Sequence, residues 1–423
     1  MAVELNPHGP TVITGISELV QPHLDEGTGR SPVDVTRDAV LVIEAGKLVA
    51  TGSRDDVEIP KSDNTVSIDL GGRAVVPGLV DSHTHVVFGG GRMDEMARRS
   101  RGETYEEIAE AGGGIVNSVR GIADNSVSDL VEESMGRIRT MISRGTTTWE
   151  IKTGYGLEPN LENKQLEAIT EISGLLGPET VFATALAHVI PKKYRQARGD
   201  YIERFLSEVL EPAAKRGAIT FCDVFVENTA YSPDEARLIA ARAHGLGIRM
   251  KLHVDQLHEG GGAALAAELN ALSADHLEKV SSTGRQSLAK AGVVATLLPG
   301  CGLFLGGDNW PNGRTLRDAG CEVAIATDAN PGSSMVTDLA LCATMGATQC
   351  GLSLEEALWG ATRGGAKAMG LSDRGTLRAG ERADFVVLGA SDWRSLLYQP
   401  GSPPIDAVSS RGRWLYQDSK TQV

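Results

Sequence analysis

Through the middle of the chain, from about residue 77 to residue 370, short apolar runs alternate with segments of helical pattern. The runs are mostly β-branched, as expected of strands buried on both faces of a parallel sheet. Eight runs fit this description: residues 78–85, 146–152, 181–189, 220–227, 249–255, 271–276, 293–298 and 322–328. Eight strand–helix alternations predict an α/β fold, a closed (β/α)8 TIM barrel. An open doubly wound sheet is the alternative, weakened because no Gly-x-Gly-x-x-Gly follows the first strand.

Both ends of the chain have a β pattern instead. Residues 39–43 and 48–52 are apolar runs on either side of Gly46, which indicates a hairpin. After about Asp373 short apolar runs and glycine turns return. We therefore predict one small β-sandwich domain built from residues 1–76 and 373–423, beside a hydrolase barrel spanning residues 77–372.

Charge and hydropathy limit the classes of partner. The net charge is −14 and no basic run occurs, which argues against a nucleic-acid partner. No apolar stretch of about 18 residues occurs, so we expect no membrane partner. The first residues show no basic segment before an apolar run, and we expect a cytoplasmic protein.

The five cysteines show no Cys-x-x-Cys spacing. We interpret them as reduced, mostly buried thiols. The alternative is that Cys222, on a predicted barrel strand, approaches a metal ion.

Histidines gather at the carboxyl ends of the predicted barrel strands, the face where barrel active sites lie. They are His83, His85, His188, His253 and His276. His83 and His85 are two residues apart on one strand, so both imidazoles face the same side and can share a cation. A single His-x-His is a weak signal, and two satisfied polar residues are the competing interpretation.

Asp328 ends the eighth predicted strand, after an apolar run. A carboxylate there is costly to bury unless it is paired or binds a metal. A metal ion would lower the pKa of a water molecule and polarise the bond under attack. Asp328 is then the candidate base, and His276 a proton carrier or a polariser of the substrate carbonyl.

Two motifs resemble the amidohydrolase superfamily: Pro77-Gly-Leu-Val-Asp-Ser-His-Thr-His85, and Gly375-Thr-Leu-Arg-Ala-Gly380 with Ala383-Asp384. Finer motifs are similar to those of the imidazolonepropionase family. They include His83-Thr-His-Val-Val-Phe-Gly-Gly-Gly-Arg92, Glu150-Ile-Lys-Thr-Gly-Tyr-Gly-Leu157, His253-Val-Asp-Gln256 and Asp328-Ala-Asn-Pro-Gly-Ser-Ser334. The resemblance covers nearly the whole chain.

The resemblance implies hydrolysis of 4-imidazolone-5-propanoate to N-formimidoyl-L-glutamate in histidine degradation, with one zinc or iron ion per chain. It implies metal ligands His83, His85, His253 and Asp328, and a homodimer. The fourth predicted strand has no lysine, so it cannot supply the carbamylated bridging lysine of two-metal relatives. Lys152 lies on the second strand, and we interpret it as structural.

By position, the resemblance also implies a set of substrate contacts: Arg92, Tyr105, Tyr155, His188, Gln256, Asn330, Gly332 and Ser333. Arg92 suits a carboxylate-bearing substrate, because guanidinium binds carboxylate in bidentate fashion. Its competing interpretation is a solvated loop arginine. His188 is expected to donate a hydrogen bond to the substrate ring or carboxylate. Gln256 cannot act as a base, so it is expected only to hydrogen-bond the substrate.

Residues 301–310 depart from the family pattern and are expected to reshape one wall of the pocket. A related deaminase or amidase acting on another small cyclic amide or amidine therefore stays an alternative. A non-catalytic protein with the same barrel is a third hypothesis. The presence of the histidines at the strand ends and of Asp328 argues against it.

Overall fold

The computed structural model describes residues 3–25, 31–103, 107–108, 113–177, 179–306 and 308–419. Its strands form two eight-stranded sheets. In chain order they are β1 Val3–Glu4, β2 Thr11–Pro22, β3 Val33–Glu44, β4 Lys47–Ser53, β5 Val66–Pro77, β6 Leu79–Asp81, β7 Thr146–Lys152, β8 Val181–Ala187, β9 Phe221–Val226, β10 Arg249–Val254, β11 Ser273–His276, β12 Val294–Leu297, β13 Val323–Ile325, β14 Phe385–Leu388, β15 Ile405–Ser410 and β16 Arg413–Gln417.

Strands β6 to β13 lie side by side in chain order, and their pairings are parallel. Hydrogen bonds just beyond the ends of β6 and β13 close the sheet into a barrel. The backbone N–H of Asp328 donates to His83 O (3.0 Å), and that of His85 donates to Ala329 O (3.0 Å). The predicted (β/α)8 barrel is therefore confirmed, with each strand inside the run that predicted it.

Helices follow the barrel strands and pack around them, and the last helix follows β14 of the second sheet. They are α1 Met93–Arg99, α2 Ile115–Asp124, α3 Val127–Ser143, α4 Pro159–Leu176, α5 Arg198–Phe205, α6 Glu211–Lys215, α7 Pro233–Gly245, α8 Gly262–Glu268, α9 Ser282–Ala291, α10 Pro299–Leu305, α11 Gly313–Asp318, α12 Leu339–Thr348, α13 Leu354–Trp359, α14 Gly365–Ala368 and α15 Ser395–Tyr398. Capping boxes at Ser126, Ser232 and Ser353 satisfy backbone N–H groups that would otherwise lack partners.

The second sheet joins both ends of the chain, in the order β1-β16-β15-β14-β5-β2-β3-β4. It is one continuous sheet that curls over its own core, because Leu48 near one edge and Trp414 near the other belong to the same apolar cluster. The hairpin turn between β3 and β4, around Gly46, lies against Arg411 in the turn between β15 and β16. A second sheet from both termini is thus confirmed.

Alternate residues of this sheet face two different cores. On β5 and β14, Val75 and Val387 pack inside the curled sheet, whereas Val76 and Val386 pack against the barrel. This is the period-2 alternation of a strand covered on both faces. The sheet therefore anchors the start and the end of the barrel together; the domain limits at 76/77 and 372/373 stay predictions.

Among the helices in the described parts of the chain, none has both the length and the apolar character that crossing a membrane requires.

Candidate metal centre and active site

Three histidines from two parts of the barrel meet at its carboxyl-end face. His83 and His85 follow β6, and His253 lies on β10. One ring nitrogen of each lies within 4.8 Å of the others, and all three side chains are buried. His83 Nε2 and His85 Nε2 are 3.3 Å apart. Asp328 Oδ1, just after β13, lies 3.4 Å from His83 Nε2 and 3.3 Å from His85 Nε2.

Three of the four groups in this cluster have pKa shifts that suit a cation; for His83, burial and Lys152 lower the pKa, but Asp275 and Asp328 raise it above its usual value. Burial lowers the pKa of His85, and burial together with His83 and Lys152 holds the pKa of His253 well below its usual range. Both rings are therefore neutral, as metal ligands must be. Burial raises the pKa of Asp328, but His83 and His85 hold it well below its usual value, so this carboxylate is ionised.

The residues present fit a divalent metal ion. His253 Nε2 is buried and has no hydrogen-bond partner, although its ring lies 4.4 Å from that of His83. His83 Nδ1 lies 2.6 Å from Asp275 Oδ2 and donates its proton there, which leaves Nε2 as a lone-pair donor. Three imidazoles and one carboxylate form a donor set suited to zinc or iron.

Metal binding to this site is expected to raise stability, because the folded chain binds the ion and the unfolded chain does not. At a free metal concentration about 100 times Kd, the free energy of unfolding should rise by about 2.7 kcal/mol. Thermal unfolding after chelation, with and without added zinc, measures this. His253→Ala is the control and should show no such increase; an equal increase in that variant would place the ion elsewhere.

The loop after β13 holds the second oxygen of Asp328. Asp328 has a left-handed backbone (φ 50°), which is uncommon outside glycine and occurs at functional positions. Its Oδ2 accepts hydrogen bonds from Asn330 Nδ2 (2.8 Å), Cys301 Sγ (2.9 Å) and Ser333 Oγ (3.4 Å). One oxygen thus faces the histidines and the other faces donors of the protein.

Asn330, Gly332 and Ser333 also bind one another. Asn330 Oδ1 accepts the backbone N–H groups of Gly332 and Ser333, both at 2.8 Å. Asn330 therefore shapes the loop and holds Asp328, a role that the sequence analysis did not identify. The expected substrate contacts of these three residues stay predictions.

His276 ends β11 with a left-handed backbone (φ 84°). Its ring centroid lies 5.4 Å from that of His253 and 5.9 Å from that of His83, and Nδ1 lies 3.4 Å from Glu278 Oε1. The side chain is thus beside the cluster without being part of the three-histidine group. This position is compatible with the predicted proton transfer.

Arg92 is buried, so it is not a solvated loop arginine. Glu95 Oε2 accepts from Arg92 Nε (2.9 Å) and Nη2 (2.6 Å). Nη1 faces Gly332, where an added Cβ would lie only 2.3 Å away. Glu95 therefore fixes the direction of the guanidinium, and the missing side chain at Gly332 leaves room for it.

Tyr155 and His188 form the wall beside His85. The Tyr155 ring lies 5.6 Å from each of the His85 and His188 rings. Burial, with a contribution from His85, lowers the pKa of His188 to about 4, so the ring is neutral. Nδ1 donates to Gly154 O (3.1 Å), which leaves Nε2 as an acceptor. The expected donor role of His188 is therefore wrong for this tautomer: toward a ligand the ring can only accept.

The expected substrate contacts of Gln256 and Tyr105 stay predictions. Gln256 lies two residues after the end of β10 and is partly buried. Tyr105 lies outside the described residues.

The alternative that Cys222 approaches a metal is wrong. On β9 the inward positions are Asp223, which contacts His253, and Phe225, whose ring lies 5.9 Å from that of His253. Cys222, which directly precedes Asp223 on the strand, points outward into the apolar core. All five cysteines, each within the described residues, are buried thiols, as expected. Cys301, next to Asp328, was missed as a site residue because only the folded loop brings it there.

A buried charge layer (Glu150, Lys152, Asp223, Lys251 and Asp275) lies beneath the histidines, and the sequence analysis did not identify it. Each of its side chains is 0% exposed. Lys152 Nζ lies 2.7 Å from both Glu150 Oε1 and Asp223 Oδ2. The available signal was the i, i+2 spacing of Glu150 and Lys152 on a strand that has no other charged residue.

Comparison with known proteins agrees with this site and fold. The amidohydrolase family model matches residues 74–413. Imidazolonepropionase from Agrobacterium fabrum is 42% identical over 382 residues, covering 90% of this chain and 91% of that relative. Imidazolonepropionase from Deinococcus radiodurans is 40% identical over 407 residues, covering 96% and 99%.

Solved structures with low identity share the fold. A 5-methylcytosine deaminase from Klebsiella pneumoniae liganded with 5-fluorocytosine has a TM-score of 0.74 at 15% identity, covering 97% of this chain and 98% of its own. Atrazine chlorohydrolase from Arthrobacter aurescens complexed with zinc has a TM-score of 0.69 at 20% identity, covering 96% and 95%. Together with the sequence relatives, these findings show that the chain is a hydrolase of the amidohydrolase family and belongs, within it, to the imidazolonepropionases.

Proposed function

We propose that the protein hydrolyses 4-imidazolone-5-propanoate to N-formimidoyl-L-glutamate. The observation that carries the proposal is a buried arginine, Arg92, held at the same barrel face as the three-histidine cluster in a chain at least 40% identical to curated imidazolonepropionases. A carboxylate-bearing ring fits this combination: the guanidinium binds the propionate, and the ring extends toward the cluster.

The metal ion, zinc or iron, would be held by His83, His85, His253 and Asp328. When bound, it supplies a water of lowered pKa and polarises the ring carbonyl. We further propose a homodimer in the cytoplasm, on the family resemblance alone.

Four side chains of the protein transfer the proton, stabilise charge and bind the ring. Asp328, ionised and held through Oδ2, accepts the proton of the attacking water and passes it to the ring nitrogen that leaves. His276 stabilises negative charge on the carbonyl oxygen. His188, neutral and with Nδ1 bonded to Gly154, accepts a hydrogen bond from a ring N–H of the substrate. Gln256 hydrogen-bonds the ring.

Gly332→Ala is expected to weaken substrate binding through Arg92. The new Cβ would lie 2.3 Å from Arg92 Nη1, so the guanidinium must move and its match to a carboxylate is lost. Because a hydrogen bond to a charged group contributes about 1.5–3 kcal/mol, KM should rise roughly 10- to 100-fold. Steady-state kinetics measures this.

Gly91→Ala is the matched control, since a Cβ there meets no atom within 4 Å. Its KM should stay near that of the natural chain. Equal KM values for the natural chain and the Gly332→Ala variant would show that Arg92 does not bind the propionate.

The test of the proposed function is hydrolysis of freshly generated 4-imidazolone-5-propanoate by metal-loaded protein. Loss of ring absorbance should accompany formation of formimidoyl-glutamate. No turnover by metal-loaded protein would overturn the proposed substrate. Another cyclic amide or amidine would then be tested as the substrate. The reason is that residues 301–305, which depart from the family pattern, belong to α10 and place Cys301 against Asp328 in the site.

A further inference from the structure

Two carboxylates of the buried charge layer each contact a histidine of the metal centre. Asp275 Oδ2 lies 2.6 Å from His83 Nδ1. Asp223 Oδ2 lies 3.0 Å from His253 Nδ1, outside the alignment of a hydrogen bond, and Asp223 Oδ1 accepts a hydrogen bond from the backbone N–H of His253 (3.2 Å). A carboxylate beside Nδ1 favours the tautomer whose Nε2 is free for a metal, and it sets the ring's orientation.

One ammonium group faces both of these carboxylates. Lys152 Nζ lies 2.7 Å from Asp223 Oδ2 and 3.8 Å from Asp275 Oδ2, which are the same two oxygens that contact the histidines. Lys251 differs, because its Nζ donates to Ser82 O (2.6 Å) and, of the two aspartates, it pairs with Asp275 alone (3.9 Å) among the described residues. Lys152 is therefore the link between the two histidine-contacting carboxylates.

The charge of the layer complements a loaded metal centre. Two lysines against three carboxylates leave one net negative charge, in a region where every member is 0% exposed. A divalent ion with the Asp328 carboxylate leaves one net positive charge directly above. Buried charges are tolerated when they are paired in this way, so each member of the layer is constrained by the others.

We propose that Lys152 is a positioning residue that couples Asp223 to Asp275, so that His253 and His83 are oriented as a pair. The inference rests on the metal-dependent function proposed above. Neutralising one aspartate lets Lys152 move toward the other, and this disturbs both histidines. Replacing either aspartate therefore also removes part of the contribution that the other aspartate makes to metal affinity.

The test is a double-mutant cycle on zinc affinity, measured by competition with a chromogenic chelator. Asp223→Asn and Asp275→Asn should each weaken zinc binding by about 10- to 100-fold. The zinc affinity of the double variant should fall by a smaller factor than the product of the factors for the two single variants. In a Lys152→Met background the coupling should fall to the part that the shared ion contributes, whereas in the control background, Lys251→Met, it should keep its full size.

This comparison separates coupling through Lys152 from coupling through the shared ion, which both backgrounds retain. Equal coupling in the Lys152→Met and Lys251→Met backgrounds overturns the proposal. Because the measured quantity is zinc affinity, this test is independent of the proposed function. A protein that does not hydrolyse 4-imidazolone-5-propanoate can still show coupling through Lys152, and an active enzyme can lack it.

A second measurement needs no change at Lys152, in case that variant does not fold. In metal-free protein, ¹⁵N NMR of the histidine rings reports their tautomers. Asp223→Asn should shift the His83 ring nitrogens as well as those of His253. Unchanged His83 signals overturn the proposal.

Discussion

Asp328→Asn is expected to lower kcat by at least about 100-fold, the scale of losing a positioned general base. The carboxylate is ionised and lies against two histidines, so the amide removes both the proton acceptor and the negative ligand. The amide keeps the size of the side chain, and Oδ1 can still face the cluster. Single-turnover kinetics with metal-saturated protein measures the loss and separates it from weaker metal binding.

The matched control is Asp318→Asn, on α11, whose side chain is 66% exposed. It should have the kcat of the natural chain. Near-normal turnover of metal-saturated Asp328→Asn would remove Asp328 from the proton transfer and leave His276 as the remaining candidate.

Glu150→Gln is expected to lower the free energy of unfolding by about 3–5 kcal/mol, the cost of breaking a buried charge pair. Glu150 separates the two lysines of the buried charge layer, with Lys152 Nζ on Oε1 (2.7 Å) and Lys251 Nζ on Oε2. Neutralising it leaves two buried ammonium groups facing an amide. Urea unfolding followed by both circular dichroism and tryptophan fluorescence measures the change, with coincident transitions as the condition for comparing free energies.

Glu268→Gln is the control, because Glu268 pairs with Arg237 at the surface and is 52% exposed. Exposed ion pairs contribute little to stability. Loss of stability in Glu150→Gln no larger than in Glu268→Gln would mean that the layer is not held by charge pairing.

The barrel could be predicted from sequence because parallel strands buried on both faces read as continuous apolar runs. For the same reason His83, His85, His253 and Asp328 could be grouped: they end such runs, and the ends of barrel strands meet at one face. That argument uses only strand order and position.

The rest of the site depends on contacts between strands and on loop shape. Asp223 and Asp275 look like any polar residue in a strand until the barrel closes and brings Lys152 between them. Cys301 reaches Asp328 through the turn into α10, and His188 becomes an acceptor only because Gly154 O occupies Nδ1. Spacing along the chain carries no signal for such contacts.

The seam that closes the barrel has a consequence for biosynthesis. The first and last barrel strands are joined by hydrogen bonds made by His83, His85, Asp328 and Ala329, so three of the proposed metal ligands lie on the seam itself. The terminal sheet also needs both ends of the chain, since β5 pairs with β14, which lies more than 300 residues later. During translation the site is incomplete until the last barrel strand has left the ribosome. Metal loading should therefore be a late event in biosynthesis, after the first and last barrel strands have paired.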